Sequence, residues 1–218
     1  MDSLDKKFSI DEAVKIISDE ASKKFVEAID VAVNLGIDPV KTDQAVRGAT
    51  NLPHGNGKTY KVAVFAEGDE AQEAKDSGAD RVGMEDLAED MKKGNIDYDV
   101  IIATPETMRI VSPLGQILGP KGLMPNPKLG SVTENLKDAI VDAKSGQVEI
   151  RNDKDGNIGV SIGKKSFADD KLIKNYNAII ETLEKEKSNN TVKGELVKSA
   201  FVTSTMGVSY KLKIGKSI

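Results

Sequence analysis

The chain has 218 residues, enough for one or two globular domains with a sizeable core, and 39% hydrophobic with 30% charged residues excludes disorder and collagen. It has no cysteine and one histidine, His54, which removes disulfides, thiolate nucleophiles and multi-histidine or cysteine metal centres, and with them most familiar enzyme chemistry. The net charge of −4 is uneven: residues 1–54 carry 7 basic against 10 acidic side chains, 55–146 carry 11 against 16, and 147–218 carry 13 against 9, which leaves a basic local face available.

Met1, Asp2, Ser3, Leu4 and Asp5 are neither basic nor apolar enough for a signal peptide, and no run approaches the roughly eighteen apolar residues of a membrane helix; a cytoplasmic location without membrane contact is expected. Ser9 and Glu12 have the spacing of a capping box. Ile10, Val14, Ile17 and Ala21 share one face of a predicted helix ending near Ser22. From Phe25 the period falls to two, with Phe25, Ile29, Val31, Val33 and Leu35 facing one way and Val26, Ala28, Asp30 and Asn34 the other: a long strand, broken by Gly36, Asp38 and Pro39. Val46–Leu52 reads as a second short strand before the turn Pro53, His54, Gly55.

Lys61–Ala66, Glu70–Asp76, Met84–Lys93, Val100–Ala103 and Pro105–Val111 then alternate apolar runs with helical stretches, a βαβ rhythm that implies a parallel sheet covered by helices. Thr104 is placed to cap the last of these helices, with Pro105 at its first position. Gly119–Lys128 holds three prolines and reads as rigid and irregular. Thr133 is expected to cap a helix that buries Leu136, Ala139, Ile140 and Ala143. Val148 and Ile150, then Ile158, Val160 and Ile162, joined through Asp153–Asn157, read as a hairpin. A helix over Asp169–Lys187 buries Leu172, Tyr176, Ile179 and Leu183, and Val192–Thr205 and Val208–Ile214 read as strands about Gly207. The fold class is therefore α+β in two domains. Residues 1–54 and 147–218 form a discontinuous α+β domain with an antiparallel sheet made from both chain ends, and residues 55–146 form an inserted α/β domain.

Gly55, Asn56, Gly57, Lys58 and Thr59 resemble the end of a phosphate-binding loop. That loop needs a glycine five residues earlier, where Leu52 stands, and a helix after the threonine, where a strand is predicted. An inter-domain turn is the better reading, with a nucleotide-dependent enzyme built on Gly57, Lys58 and Thr59 as the alternative function. His54, between Pro53 and Gly55, is read as a turn residue, since no nucleophile motif supplies it a partner. Glu85, Asp86, Glu89, Asp90, Asp97 and Asp99 read as a solvated acidic surface, and no metal or cofactor is expected. A nucleic-acid face remains: Lys23, Lys24 and Phe25 at a helix-to-strand junction, Lys154 on the hairpin, and Lys198, Lys211, Lys213 and Lys216 along the terminal strands. From charge pattern alone, solvated lysines are the simpler account of these.

Several stretches taken together carry more. They are Val31, Ala32, Val33, Asn34, Leu35 and Gly36 with Asp43, Gln44, Val46, Arg47 and Gly48; Leu52, Pro53, His54 and Gly55; Val82, Gly83, Met84 and Glu85; Gly119–Lys128; and Thr203, Ser204, Thr205, Met206 and Gly207. In this order, from about Ser9 to Gly207, they resemble the bacterial form of the large-subunit ribosomal protein L-one family, whose members form the ribosomal stalk. The resemblance implies a non-enzymatic RNA-binding protein, with the terminal domain on RNA and a Rossmann-like inserted domain hung from two hinge strands. Its implied partners are large-subunit rRNA, exit-site tRNA, whose release it assists, and the leader of its own operon mRNA, through which it represses translation; it is implied to be a monomer within the cytoplasmic ribosome.

By position, the resemblance places the RNA surface on Lys24, Phe25, Glu27, Lys154, Ser204, Thr205, Met206 and Gly207. Their chemistry suits RNA: the hydroxyls of Ser204 and Thr205 and the Glu27 carboxylate can pair with 2′-hydroxyls, Phe25 and Met206 offer apolar contact, and Gly207 has no side chain to hold the backbone away. The chain departs from its relatives in its acidic balance and in opening on Met1, Asp2, Ser3 where they carry a basic segment. Weaker non-specific phosphate binding is expected, each lost contact lowering the salt slope by roughly 0.7 to 0.9. Gly159 stands where relatives commonly have histidine, so the resemblance assigns no contact there.

Overall fold

A computed structural model describes residues 6–21, 24–38, 41, 44–189 and 194–214. Ser22, Lys23, Pro39, Asp43, Val192, Lys216 and Met1–Asp5, named above, lie outside the described residues. In chain order the elements are α1 (Ile10–Glu20), β1 (Ala28–Leu35), β2 (Arg47–Asn51), β3 (Val62–Phe65), α2 (Gly68–Asp76), β4 (Arg81–Gly83), α3 (Glu85–Lys92) and β5 (Val100–Ala103). There follow α4 (Met108–Val111), α5 (Gly115–Leu118), α6 (Leu136–Ser145), β6 (Gln147–Arg151), β7 (Asn157–Lys164), α7 (Asp169–Asn189), β8 (Val197–Ser204) and β9 (Tyr210–Lys211). The fold is mixed α/β, and the chain divides into two compact units, Met1–Gly57 with Val148–Ile218, and Lys58–Gln147.

The unit built from both chain ends holds a four-stranded sheet in the order β7-β1-β8-β9, with every neighbouring pair antiparallel. Ile29, Val31, Val33 and Leu35 point to one face, where they meet Val14 and Ile17 of α1 and Leu172, Tyr176, Ile179 and Leu183 of α7 in one core. The capping box of α1 is present: the Ser9 hydroxyl accepts from the Glu12 amide at 3.3 Å, and the Glu12 carboxylate accepts from the Ser9 amide at 3.1 Å. That amide bond is the main reason the Glu12 carboxyl lies below the usual range.

Three expectations are corrected here. Phe25 and Val26 are not in the strand, which starts at Ala28, because the ladders to β7 and β8 begin at Lys164 and Ser204 and offer residue 25 no partner. Nor do β6 and β7 form a hairpin: β6 pairs with β2 in a separate two-stranded sheet and β7 pairs with β1. Alternation satisfies either partner, so it fixes which face a residue takes and not which strand it joins. The terminal strands are shorter than Val192–Thr205 and Val208–Ile214.

One buried polar side chain organises this unit. Asn175 on α7 is fully buried. Its Oδ1 accepts from the His54 amide at 3.1 Å, and its Nδ2 donates to the carbonyls of Gly55 at 2.8 Å and Ile162 at 2.7 Å. The turn at residues 53–55 thus has no loose backbone at the point where it meets the helix.

The second unit contains a parallel sheet, β4-β3-β5. All four residues of β3 are buried: Ala63 and Phe65 meet Leu87 and Met91 of α3 with Leu114 and Leu118, whereas Val62 and Val64 meet Leu136 and Ile140 of α6 with Ala74 of α2. Strand β4 has no counterpart in the sequence reading, since Arg81-Val82-Gly83 is too short and polar to register a period. The helix predicted from Pro105 starts at Met108, because the Thr107 hydroxyl takes the Thr104 amide at 3.1 Å and bonds the Phe65 carbonyl at 3.0 Å, closing a turn over residues 104–107. Asn135, not Thr133, caps α6: its side chain accepts from the Asp138 amide, and the Thr133 hydroxyl accepts from the amide of Asn135.

Candidate nucleic-acid interface

At the start of β1, Glu27 and Ala28, which follow Lys24 and Phe25 in the chain, lie against the turn that follows β8. The Thr205 amide donates to the Ala28 carbonyl at 3.1 Å. In return the Ala28 amide donates to the Thr205 hydroxyl at 3.0 Å, across 177 residues of sequence. The Met206 amide donates to the Glu27 carboxylate at 3.3 Å, and the Gly207 amide to the Ser204 carbonyl at 3.2 Å. Continuing the Ile29–Ser204 register past the end of the ladder brings these two stretches together.

The eight predicted residues sort by exposure. Lys24, Phe25, Thr205, Met206 and Gly207 face solvent at this tip, with Met206 77% and Phe25 48% exposed. Glu27 and Ser204 belong to the same tip but are buried beneath it. A Cβ at Gly207 would stand 2.3 Å from the Ser204 hydroxyl oxygen, so the absence of a side chain is first an internal packing demand. The sequence offers two readings of that glycine, a plain turn between strands and close approach of RNA, and neither anticipates the Ser204 contact. Sequence reasoning also passed over Val26 and Val208, 59% and 66% exposed on the same two segments.

Lys154 is not part of the tip. It is exposed in the loop from β6 to β7, and that loop meets the far end of β1, where the Leu35 amide donates to the Gly156 carbonyl at 2.9 Å. Asp153 ties the loop, its carboxylate accepting from the amides of Asn157 at 2.8 Å and Asp155 at 2.9 Å. Those bonds, the one from Asn157 foremost, hold its carboxyl below the ordinary aspartate range.

The turn once compared with a phosphate loop has no helix after it: Lys58, Thr59 and Tyr60 run irregularly towards β3. Gly57 has φ of +75°, and a side chain there would crowd Lys164 and Phe167 at 3.3 Å, which accounts for the glycine without a ligand. Among the described residues no three His, Cys, Asp or Glu side chains are grouped to hold a metal ion, and no helix is long and apolar enough to cross a membrane.

Residues 17–208 match the model of the ribosomal protein L1p/L10e family. A protein of Methylibium petroleiphilum, "large ribosomal subunit protein uL1", is 56% identical over 98% of this chain and 90% of its own length. Proteins of the same description from Pelagibacter ubique, 54% identical over 96% of this chain and 91% of the relative, and from Pasteurella multocida, 55% identical over 93% and 88%, are similar throughout.

Proposed function

The chain belongs to the ribosomal protein L1p/L10e family, and on that premise we propose that it binds large-subunit ribosomal RNA through the unit formed by its two ends. Its relatives are ribosomal proteins of the large subunit and not enzymes, and its role is structural within that particle. The observation that carries the RNA reading is the tip itself. Two segments far apart in sequence are laced by the hydrogen bonds of Thr205 with Ala28 and of Met206 with Glu27, beside which Lys24, Phe25, Thr205 and Met206 are exposed. Buried Glu27 and Ser204 set its shape from below, and exposed apolar groups beside hydroxyls and a cation suit ribose edges and unstacked bases.

In this reading the unit with the antiparallel sheet is the RNA-binding α+β domain, and the parallel-sheet unit is a Rossmann-like insertion. Mounted on the stalk near the exit site, the insertion assists departure of deacylated tRNA. The same tip, engaging a leader in the operon mRNA that imitates the ribosomal site, represses translation. Binding of the full chain to large-subunit rRNA fragments, followed by gel shift, tests the assignment. Phe25→Ala and Met206→Ala should each weaken binding by roughly 1–3 kcal/mol, the scale of a stacking contact. Undiminished affinity in both would remove the tip from the site.

A further inference from the structure

The acidic balance of the parallel-sheet unit is unevenly laid out. Of the 16 acidic side chains in residues 55–146, none falls within 107–133, a stretch that holds Arg109, Lys121 and Lys128. Its pieces are anchored on one apolar cluster: Met108 and Val111 of α4, Leu118 of α5 and, after the turn, Leu123 and Met124 all pack there with Phe65 and Leu87. Arg109 and Lys121 fall between those anchors in sequence, and both are exposed. Among the described residues neither is ion-paired, and Arg109 engages only the Glu106 carbonyl, to which its Nε donates at 3.5 Å. Elsewhere in the unit Arg81 is taken by Asp86 and Asp90, and Lys144 by Asp80.

The ground between the two cations is low. Gly115 opens α5 with a helical φ of −55°, where glycine is the poorest choice after proline, yet a Cβ there would meet no atom within 4 Å. Packing inside the unit does not ask for this glycine; close approach by another molecule's backbone does. Gly119, Pro120 and Gly122 are exposed in the turn that follows. On an acidic unit, a stretch cleared of carboxylates is where a polyanion can land without repulsion. Residues 107–133 include no Phe, Tyr or Trp, so they cannot stack an unpaired base as Phe25 of the tip can. Cations and small residues without an aromatic ring fit the outside of a paired RNA stem, which is met through phosphates and 2′-hydroxyls and not through base faces.

We propose that the backbone of a paired stem of deacylated tRNA rests on residues 107–133, with Arg109 and Lys121 facing phosphates and Gly115 letting a ribose come against α5. This rests on the reading above that the inserted unit meets tRNA, and it assigns that contact to named residues outside the tip. Large subunits stripped of their own copy and rebuilt with variants of the full chain test it, read as retention of deacylated tRNA across a salt series. Arg109→Glu and Lys121→Glu should each weaken retention about tenfold and lower the salt slope by roughly 1, the signature of a lost phosphate contact. Gly115→Gln, which adds bulk without charge in open space, should melt no lower than the unaltered protein and weaken retention severalfold. Lys75→Glu, the same change of net charge as Lys121→Glu but on α2, should have little effect. Affinity of the first three variants for the large-subunit rRNA fragment should be unchanged. Equal losses in Lys75→Glu and Lys121→Glu would reduce the effect to net charge and refute the contact. Full retention in Arg109→Glu, Lys121→Glu and Gly115→Gln would refute it as well, and a loss that falls on the rRNA fragment and not on tRNA would give the stretch to rRNA. If subunits with and without the unaltered chain hold tRNA alike, the fault lies in the reading that the insertion meets tRNA, and the contact falls with it. Met206→Ala, assayed on the rRNA fragment, keeps the reading of the tip separate from both.

Discussion

The two units use their sheets in opposite ways. In β1 buried and less buried positions alternate, and the sheet is packed by helices on one side only. In β3 every residue is buried, and separate apolar clusters press on both faces. A sheet enclosed on both sides has spent its surface on stability, whereas one with a bare face can offer main chain and small side chains to a partner. The contrast predicts where substitutions hurt. Phe65→Ala, inside the doubly covered sheet, should cost about 3–5 kcal/mol in urea denaturation, because the emptied site is hemmed in by Leu87, Met91 and Leu114 and has little room to collapse. A loss below about 1 kcal/mol would mean that the enclosure is much looser than its burial implies.

A smaller effect sharpens the same contrast from the other unit. Asn175→Ala removes the partner of one amide and two carbonyls at once, leaving the His54 N–H and the Gly55 and Ile162 oxygens without it. Each orphaned buried group costs about 1–3 kcal/mol before relaxation, and with water reaching the turn a net loss of about 2–3 kcal/mol is expected. Amide exchange distinguishes this from a general loosening: His54 should lose protection before residues in the middle of β1 do. Uniform loss along both would show that Asn175 merely fills space.

The sequence made these roles legible to different depths. Period-two alternation from Ile29 to Leu35, and Leu172, Tyr176, Ile179 and Leu183 at helical spacing, were readable because each side chain's face follows from its own position. Pairing was not. Whether β6 meets β7 or β2 depends on where the loop after Asp153 sends the chain, and local alternation is silent on that. The tip needed the family resemblance, since Ala28 and Thr205 become neighbours only through a ladder closed across 177 residues. The buried state of Glu27 and Ser204 was hidden for a related reason: a charged or hydroxyl residue at a strand end reads as exposed until a second segment is laid over it. Asn175 gave no signal at all, because a lone asparagine in a helix has no pattern until its three backbone partners converge.

The smallest expected effect compares one aspartate from each unit. Asp153 is fully on the surface and takes two loop amides; Asp80 accepts from the Val62 amide at 2.9 Å, at the first residue of β3, and also faces Lys144 at 3.2 Å. Both carboxyls are held below the ordinary aspartate range, Asp153 chiefly by the Asn157 amide and Asp80 chiefly by the Val62 amide. A carboxyl depressed in the folded state binds its proton more readily when unfolded. Its stabilising contribution is therefore whole above the unfolded value and is lost as the pH falls through the folded one. Acidification below the ordinary aspartate range should first release the Asp155 and Asn157 amides, in a loop where water can replace the carboxylate without disturbing a core. The Val62 amide, anchored in a strand buried on both sides, should hold its exchange protection further into the descent. Amide chemical shifts and exchange followed from neutral to acid pH give both midpoints in one titration. Release of Val62 ahead of Asn157 would mean that the enclosed sheet depends on its surface carboxylate more than the open one does, reversing the contrast between the units.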